Sequence, residues 1–272
     1  MSPPDGFRLP GDRADLERRI TAWSRSIGLP EGWLRRYIAT SVVLAMLGRA
    51  RDAGGNELFI AKGGASMQLR FGTDARLTRD LDAAFRGKEP SIATALTAAF
   101  AEPLWEFTAK ARELDPFDGD RLHALVYRHR IALAFRGRPF DTVSLELTEQ
   151  PSARGEVLHP VLTLEDVRLP GPVPSTVLAT PNPRASDLYD LLLLSRHVDD
   201  HGDWVAVAES CDAVFLERAT HPWPCAVTVR EGWAEQWTSL SRGLPLEALG
   251  VPADVAAAAT QLNDQIHERL TR

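Results

Sequence analysis

The sequence predicts an α+β fold, a mixed sheet flanked by helices and followed by a helical C-terminal part. Three observations carry that prediction. The apolar run Leu58 to Ala61 ends in Gly63-Gly64 and a helix-compatible segment, Ala65 to Arg70, begins at once, which is the order strand, tight turn, helix. The stretches Asp80 to Phe85, Leu125 to Phe135 and Asp141 to Thr148 alternate with the two-residue period of a strand. Beyond Pro170 to Pro183, where five prolines fall in fourteen residues, only helical periodicities remain. A stretch so rich in proline cannot be a helix interior, so the domain boundary is expected there, with domains at 1–172 and 173–272.

From the N-terminus, Leu16, Ile20, Trp23 and Ile27 stand at helical spacing between Asp12, a fitting N-cap, and Gly28, a fitting stop. A second helix is expected from Pro30 to about Ala53 with Leu34, Ile38, Val42 and Met46 on its apolar face. Arg13, Arg18, Arg19, Arg25, Arg35 and Arg36 decorate these helices, either as solvated faces or as an RNA-facing surface. A third helix is expected from Ser91 to Phe107, ended or kinked by Pro103.

In the next strand Leu125, Tyr127, Ile131, Leu133 and Phe135 form an apolar face with His129, while Arg128, Arg130 and Arg136 occupy the other. Between Arg121 and Arg138 lie five arginines, two histidines and no acid, the best local site for a polyanion, although basic strand faces also occur simply as solvated surface. A three-residue loop Gly137-Arg138-Pro139 would pair Leu133 with Val143, Ile131 with Leu145 and Arg130 with Glu146. The C-terminal helices are expected at Ala185 to Val198, Asp203 to Ala219, Arg230 to Ser241 and Ala253 to Leu270, with Trp223, Trp233 and Trp237 either in their core or forming a base-stacking platform.

Composition narrows the function classes. Apolar residues make up 44% and charged residues 25%, as in ordinary globular proteins, and the net charge of −6 supplies no global field for nucleic acid. Cys211 and Cys225 form no metal-binding spacing and read as two reduced thiols. No signal-peptide pattern or window of eighteen apolar residues occurs, so a cytoplasmic protein that does not span a membrane is expected.

The chemistry concentrates between Lys62 and Asp82. A turn into a helix N-terminus gathers backbone N–H groups, the usual means of holding a phosphate. Asp80 and Asp82, at alternate strand positions, put two carboxylates on one face, where they can hold Mg²⁺.

The series Lys62-Gly63-Gly64, Leu69-Arg70-Phe71-Gly72, Arg76 and Thr78-Arg79-Asp80-Leu81-Asp82 resembles the signature of the AbiEii/AbiGii (MenT-like) nucleotidyltransferase toxin family. The likeness continues at Arg184 to Asp190 and between Phe215 and Trp237. It implies a minimal nucleotidyltransferase fold, Mg²⁺-dependent transfer of a nucleoside monophosphate from an NTP to RNA, with the tRNA 3′ end as acceptor, and a cognate antitoxin. By the same resemblance Gly63, Gly64 and Ser66 hold the triphosphate, Lys62 and Arg76 neutralise it, and Asp80 and Asp82 bind the metal. Thr78 stands where members carry Ser and is the expected phosphorylation site. Glu146 is either the third carboxylate or an ion-pair partner of Arg130, and Asp187 is either a site residue or a first-turn acid complementing its helix dipole. Two rival readings are a small-molecule nucleotidyltransferase and a catalytically dead member that binds nucleotide or RNA. The chain departs from the family by lacking a helix-borne Lys before Arg184, since Lys62, Lys88 and Lys110 are its only lysines. Either that helix is absent or Arg168 has taken over the charge.

Overall fold

The computed structural model describes residues 8–78, 80–87, 91–118, 125–149, 156–158, 175–177, 185–218, 224–242 and 244–270. They belong to two compact units, Met1–Thr180 and Pro181–Arg272. The proline-rich stretch lies outside the described residues except for the short strand within it, and Arg168 and Trp223 lie outside them too.

The first unit opens with α1 (Arg13–Ile27) and α2 (Glu31–Leu47). Asp12 caps α1 by accepting a 2.7 Å hydrogen bond from the Asp15 amide, and Gly28 ends it at φ 74°, a left-handed conformation that suits glycine. Five of the six N-terminal arginines are paired: Arg13 and Arg35 with Glu17, Arg18 and Arg19 with Asp15, Arg36 with Asp141. They serve the packing of α1 and α2 as much as any surface role. Helix α2 stops at Leu47, six residues before the expected end, because Asp52 accepts from the Gly54 and Asn56 amides and folds the chain into a loop.

The described strands are β1 (Phe59–Lys62), β2 (Asp80–Phe85), β3 (Phe107–Asp118), β4 (Leu125–Phe135), β5 (Arg138–Glu149), β6 (Glu156–Leu158) and β7 (Ser175–Val177). They form a mixed seven-stranded sheet in the order β3-β4-β5-β2-β1-β7-β6. Strand β2 runs antiparallel to β1 but parallel to β5, so the chain from Gly87 must cross back before β5 can pair. One face, with Phe59, Leu81, Phe85, Ile131, Leu133, Phe135, Leu145 and Leu147, forms a single core with α1, α2 and α4 (Ile92–Ala99). The other face carries Lys62, Asp80, Asp82, Glu146 and Thr148.

Two expectations are corrected here. The third helix does not reach Phe107. It ends at Ala99, and Trp105 and Glu106, at φ 50° and 70°, make a tight turn from which Phe107 starts strand β3. Phe107 is drawn into the sheet because its ring packs against Phe135 and Phe140, with centroids 4.9 and 5.2 Å apart. The β4–β5 register also differs by two residues. Arg136 and Gly137, at φ 46° and 74°, form a two-residue hairpin turn, and a shift between Leu133 and Ala134 brings Ile131 opposite Val143 and Leu133 opposite Asp141. A slip of two preserves the alternation, so the apolar face is unchanged. Glu146, however, faces Arg128 rather than Arg130.

In the second unit α5 (Ala185–His201), α6 (Trp204–Arg218), α7 (Trp233–Ser241) and α8 (Val255–Leu270) match the expected helices to within a few residues. Leu188, Tyr189, Leu192, Trp233, Trp237, Ala258 and Leu262 are buried, with Tyr189 set edge-on to Trp237. Cys211 and Cys225 are free thiols. Among the described residues no helix is long and apolar enough to cross a membrane.

Candidate active site

Strand β1 delivers Lys62 to the start of α3 (Gly63–Phe71), and the chain turns there through Gly63 at φ 58°. Both glycines are required, for different reasons. A Cβ on Gly63 would stand 2.9 Å from Asp82 Oδ2 and would strain a left-handed residue. A Cβ on Gly64 would stand 2.9 Å from both Cβ and Oγ1 of Thr78. The first turn of α3 therefore lies directly against the Asp82 carboxylate, with the positive end of the helix dipole beside it. The α3 N-cap, Lys62, makes no side-chain capping bond, and Ser66 turns its hydroxyl back to the Gly63 carbonyl at 2.7 Å.

Across the sheet Lys62 pairs with Asp82, Asp82 with Glu146, and Glu146 with Arg128, so four charged residues occupy one row over four strands. Paired positions share a face, and the signs run plus, minus, minus, plus. The Lys62 ammonium donates to Thr148 Oγ1 at 2.8 Å. Burial pushes its pKa below the usual lysine value, and the neighbouring Asp82 and Glu146 carboxylates partly restore it. Arg128 Nε lies 3.6 Å from Glu146 Oε1.

The adjacent row holds Asp80, Ser144, Arg130 and Arg112. Asp80 is exposed, and its carbonyl accepts from the Thr78 hydroxyl at 2.7 Å. Thr78 itself is only 6% exposed. Arg76, half-buried, places Nη1 3.2 Å from the position of a Gly64 Cβ, so its guanidinium borders the same turn.

The structure thus brings Lys62, Gly63, Gly64, Ser66, Arg76, Thr78, Asp80, Asp82, Glu146, Arg128 and Arg130 to one end and one face of the sheet. Arg136 does not join them. It sits in the hairpin turn, bonded to the Pro10 carbonyl at 3.1 Å and to Glu106 at 3.3 Å. Asp187 belongs to the second unit, half-buried in the first turn of α5, where it accepts from the Ser186 hydroxyl at 3.3 Å. Three neighbours are not foreseen from the sequence. Lys110 and Arg112 project from the exposed side of β3, beyond the end of the expected third helix, and Thr148 is the hydroxyl that engages Lys62. The signal for Thr148 is its place on the Glu146 side of an alternating strand.

Among the described residues no three His, Cys, Asp or Glu side chains are gathered closely enough to hold a metal ion by themselves. Mg²⁺ makes a weaker demand, since it is commonly bound by one or two carboxylates with substrate phosphates and water completing the octahedron. Asp82, with Glu146 in register beside it and Asp80 one pleat away, meets that demand in donor chemistry.

The profile of the nucleotidyl transferase AbiEii toxin family, a Type IV toxin–antitoxin system, matches residues 45–261. The chain belongs to this AbiEii family. The match begins within α2 and takes in the glycine turn, both aspartates, Glu146 and α5 of the second unit. No curated protein matches the AbiEii chain. Membership identifies it as a nucleotidyltransferase toxin, with a nucleotide substrate and an antitoxin partner implied by the family.

Proposed function

We propose that this AbiEii protein transfers a nucleoside monophosphate from an NTP to the 3′ hydroxyl of an RNA, tRNA being the favoured acceptor, with pyrophosphate released. The observation that supports this reading best is the row Lys62, Asp82, Glu146 laid against the Gly63 turn, which sets cation, carboxylates and free helix N–H groups side by side. The α3 amides, with Ser66, would bind phosphate oxygens, and Lys62 and Arg76 would offset their charge. Asp80, Asp82 and Glu146 would hold Mg²⁺, which when bound supplies charge neutralisation at the transferring phosphoryl group. Glu146 would complete the metal site or take the proton of the attacking hydroxyl. Arg128 and Arg130, joined by Lys110 and Arg112, offer a basic track for the RNA backbone leading toward Asp80.

The nucleotidyltransferase-like domain, 1–172, would carry this chemistry in the cytoplasm. Phosphorylation of Thr78 would introduce negative charge beside Asp80 and against Gly64, shutting the site, and would require the buried hydroxyl to open first. The test is incubation with total RNA, Mg²⁺ and each labelled NTP in turn. A labelled RNA band supports the reading. Label appearing in a small molecule without RNA would move the assignment to small-molecule transfer, and binding of NTP without any incorporation would mark a dead member.

A further inference from the structure

We propose that Thr148 is a positioning residue that fixes the Lys62 ammonium where the phosphates of a bound nucleotide meet it. The inference rests on the nucleotide reading above and adds to it a residue that neither the motif nor the family match singles out.

Lys62 stands on β1 opposite Asp82, whereas Thr148 stands on β5 opposite Ala84, two strands away and one pleat further along. Strands are spaced by about 4.8 Å, so the two backbones are about 10 Å apart and the lysine stem must lie across β2 to reach. The residue beneath that path is Ala84, fully buried and only a methyl group tall. The crossing ends in a 2.8 Å hydrogen bond to a hydroxyl that is itself buried, Thr148 being 6% exposed.

A lysine placed at the row of Asp82 and Glu146 has a shorter alternative, direct pairing with either carboxylate. The bond to Thr148 draws the ammonium past them while leaving it within their field, as the opposing effects on its pKa record. The ammonium has three donors and Thr148 uses one. The remaining two stay on the polar side of the sheet in the field of Asp82, whose carboxylate lies against the first turn of α3. A phosphate held by the α3 amides therefore meets a cation already desolvated and oriented, with its side-chain entropy lost before binding.

A merely structural cross-sheet bond would give Thr148 a different profile, and a double-mutant cycle separates the two. The variants are Thr148→Val, Thr148→Ser, Lys62→Met and Lys62→Met/Thr148→Val, with thermal midpoints recorded for each. Binding of tripolyphosphate is measured by calorimetry in EDTA, and nucleotide incorporation is measured separately. Thr148→Val is expected to weaken tripolyphosphate binding about tenfold, the lower end for a hydrogen bond to a charged group, while Thr148→Ser retains it. The double variant should bind no more weakly than Lys62→Met alone. Wild-type binding by Thr148→Val, losses that multiply in the double variant, or no tripolyphosphate binding by the wild type would each overturn the proposal. If Thr148→Val folds poorly, Thr148→Ala replaces it in the cycle. Normal wild-type incorporation with an uncoupled cycle rejects Thr148 and keeps the transfer reading. A coupled cycle without incorporation from any NTP rejects the transfer reading and keeps Thr148.

Discussion

At the scale of single residues, Gly63 and Asp82 bind each other's identities. Gly63→Ala adds a methyl group 2.9 Å from Asp82 Oδ2 at a position of positive φ, so it should destabilise the protein by about 1–2 kcal/mol and displace the carboxylate. Thermal unfolding together with nucleotide incorporation checks this, and an unchanged midpoint would contradict the packing described. Asp80 is exposed and supports no core, so Asp80→Ala should fold normally yet relieve growth inhibition on expression and lower incorporation by at least about a hundredfold. Full toxicity in a folded Asp80→Ala variant would remove Asp80 from the mechanism.

At the scale of elements, the strand–turn–helix of β1 and α3 and the Asp-x-Asp of β2 are legible in the sequence because glycine pairs and period-two carboxylates are local signals. Strand β3 is not. Its identity depends on Phe107 packing against Phe135 and Phe140, partners nearly thirty residues or more away, and on a turn at Trp105-Glu106 made by two residues that do not advertise positive φ. The β4–β5 register is hidden for the same reason, since Arg136 occupies a left-handed position where Asn or Gly is the usual signal. The faces are still legible because alternation survives a slip of two, whereas the identity of Glu146's partner is not. The hairpin accordingly depends on Gly137 at φ 74°, and Gly137→Ala should cost about 1 kcal/mol in unfolding experiments without altering NTP binding. On the exposed side of β3 and β4, Arg112 and Arg130 are direct cross-strand partners of like charge, an arrangement that disfavours the sheet unless an anion lies between them. Replacing both by Ala should lower the slope of log RNA affinity against log salt by about 0.7 for each phosphate no longer neutralised. An unchanged slope would leave the track without a function.

For the whole molecule, pH acts through the core as well as the site. His129 is 4% exposed on the apolar face of β4, and burial pushes its pKa below the usual histidine value while Glu113 on β3 partly opposes the shift. The unfolded chain thus binds a proton more readily than the folded one, so this contribution to stability is complete above about pH 6.5 and is lost as pH falls from there through the lower folded value. The thermal midpoint should drop on acidification from neutral pH, and His129→Gln should flatten that part of the profile. A slope identical in the variant would assign it to other groups.

The parallel pairing of β2 with β5 sets when this toxin comes into being during synthesis. Asp82 and Glu146 are sixty-four positions apart in the chain, and their strands meet only after β3 and β4 have been made and folded back. Contacts of such long sequence separation are among the slow steps of folding, because loop closure must precede any gain from pairing. A nascent chain that already displays the glycine turn and both aspartates therefore holds no working row of charges. The cell that makes the protein meets its activity only once the sheet has closed, and in refolding experiments incorporation should return with the slowest sheet-forming phase rather than with the early helices.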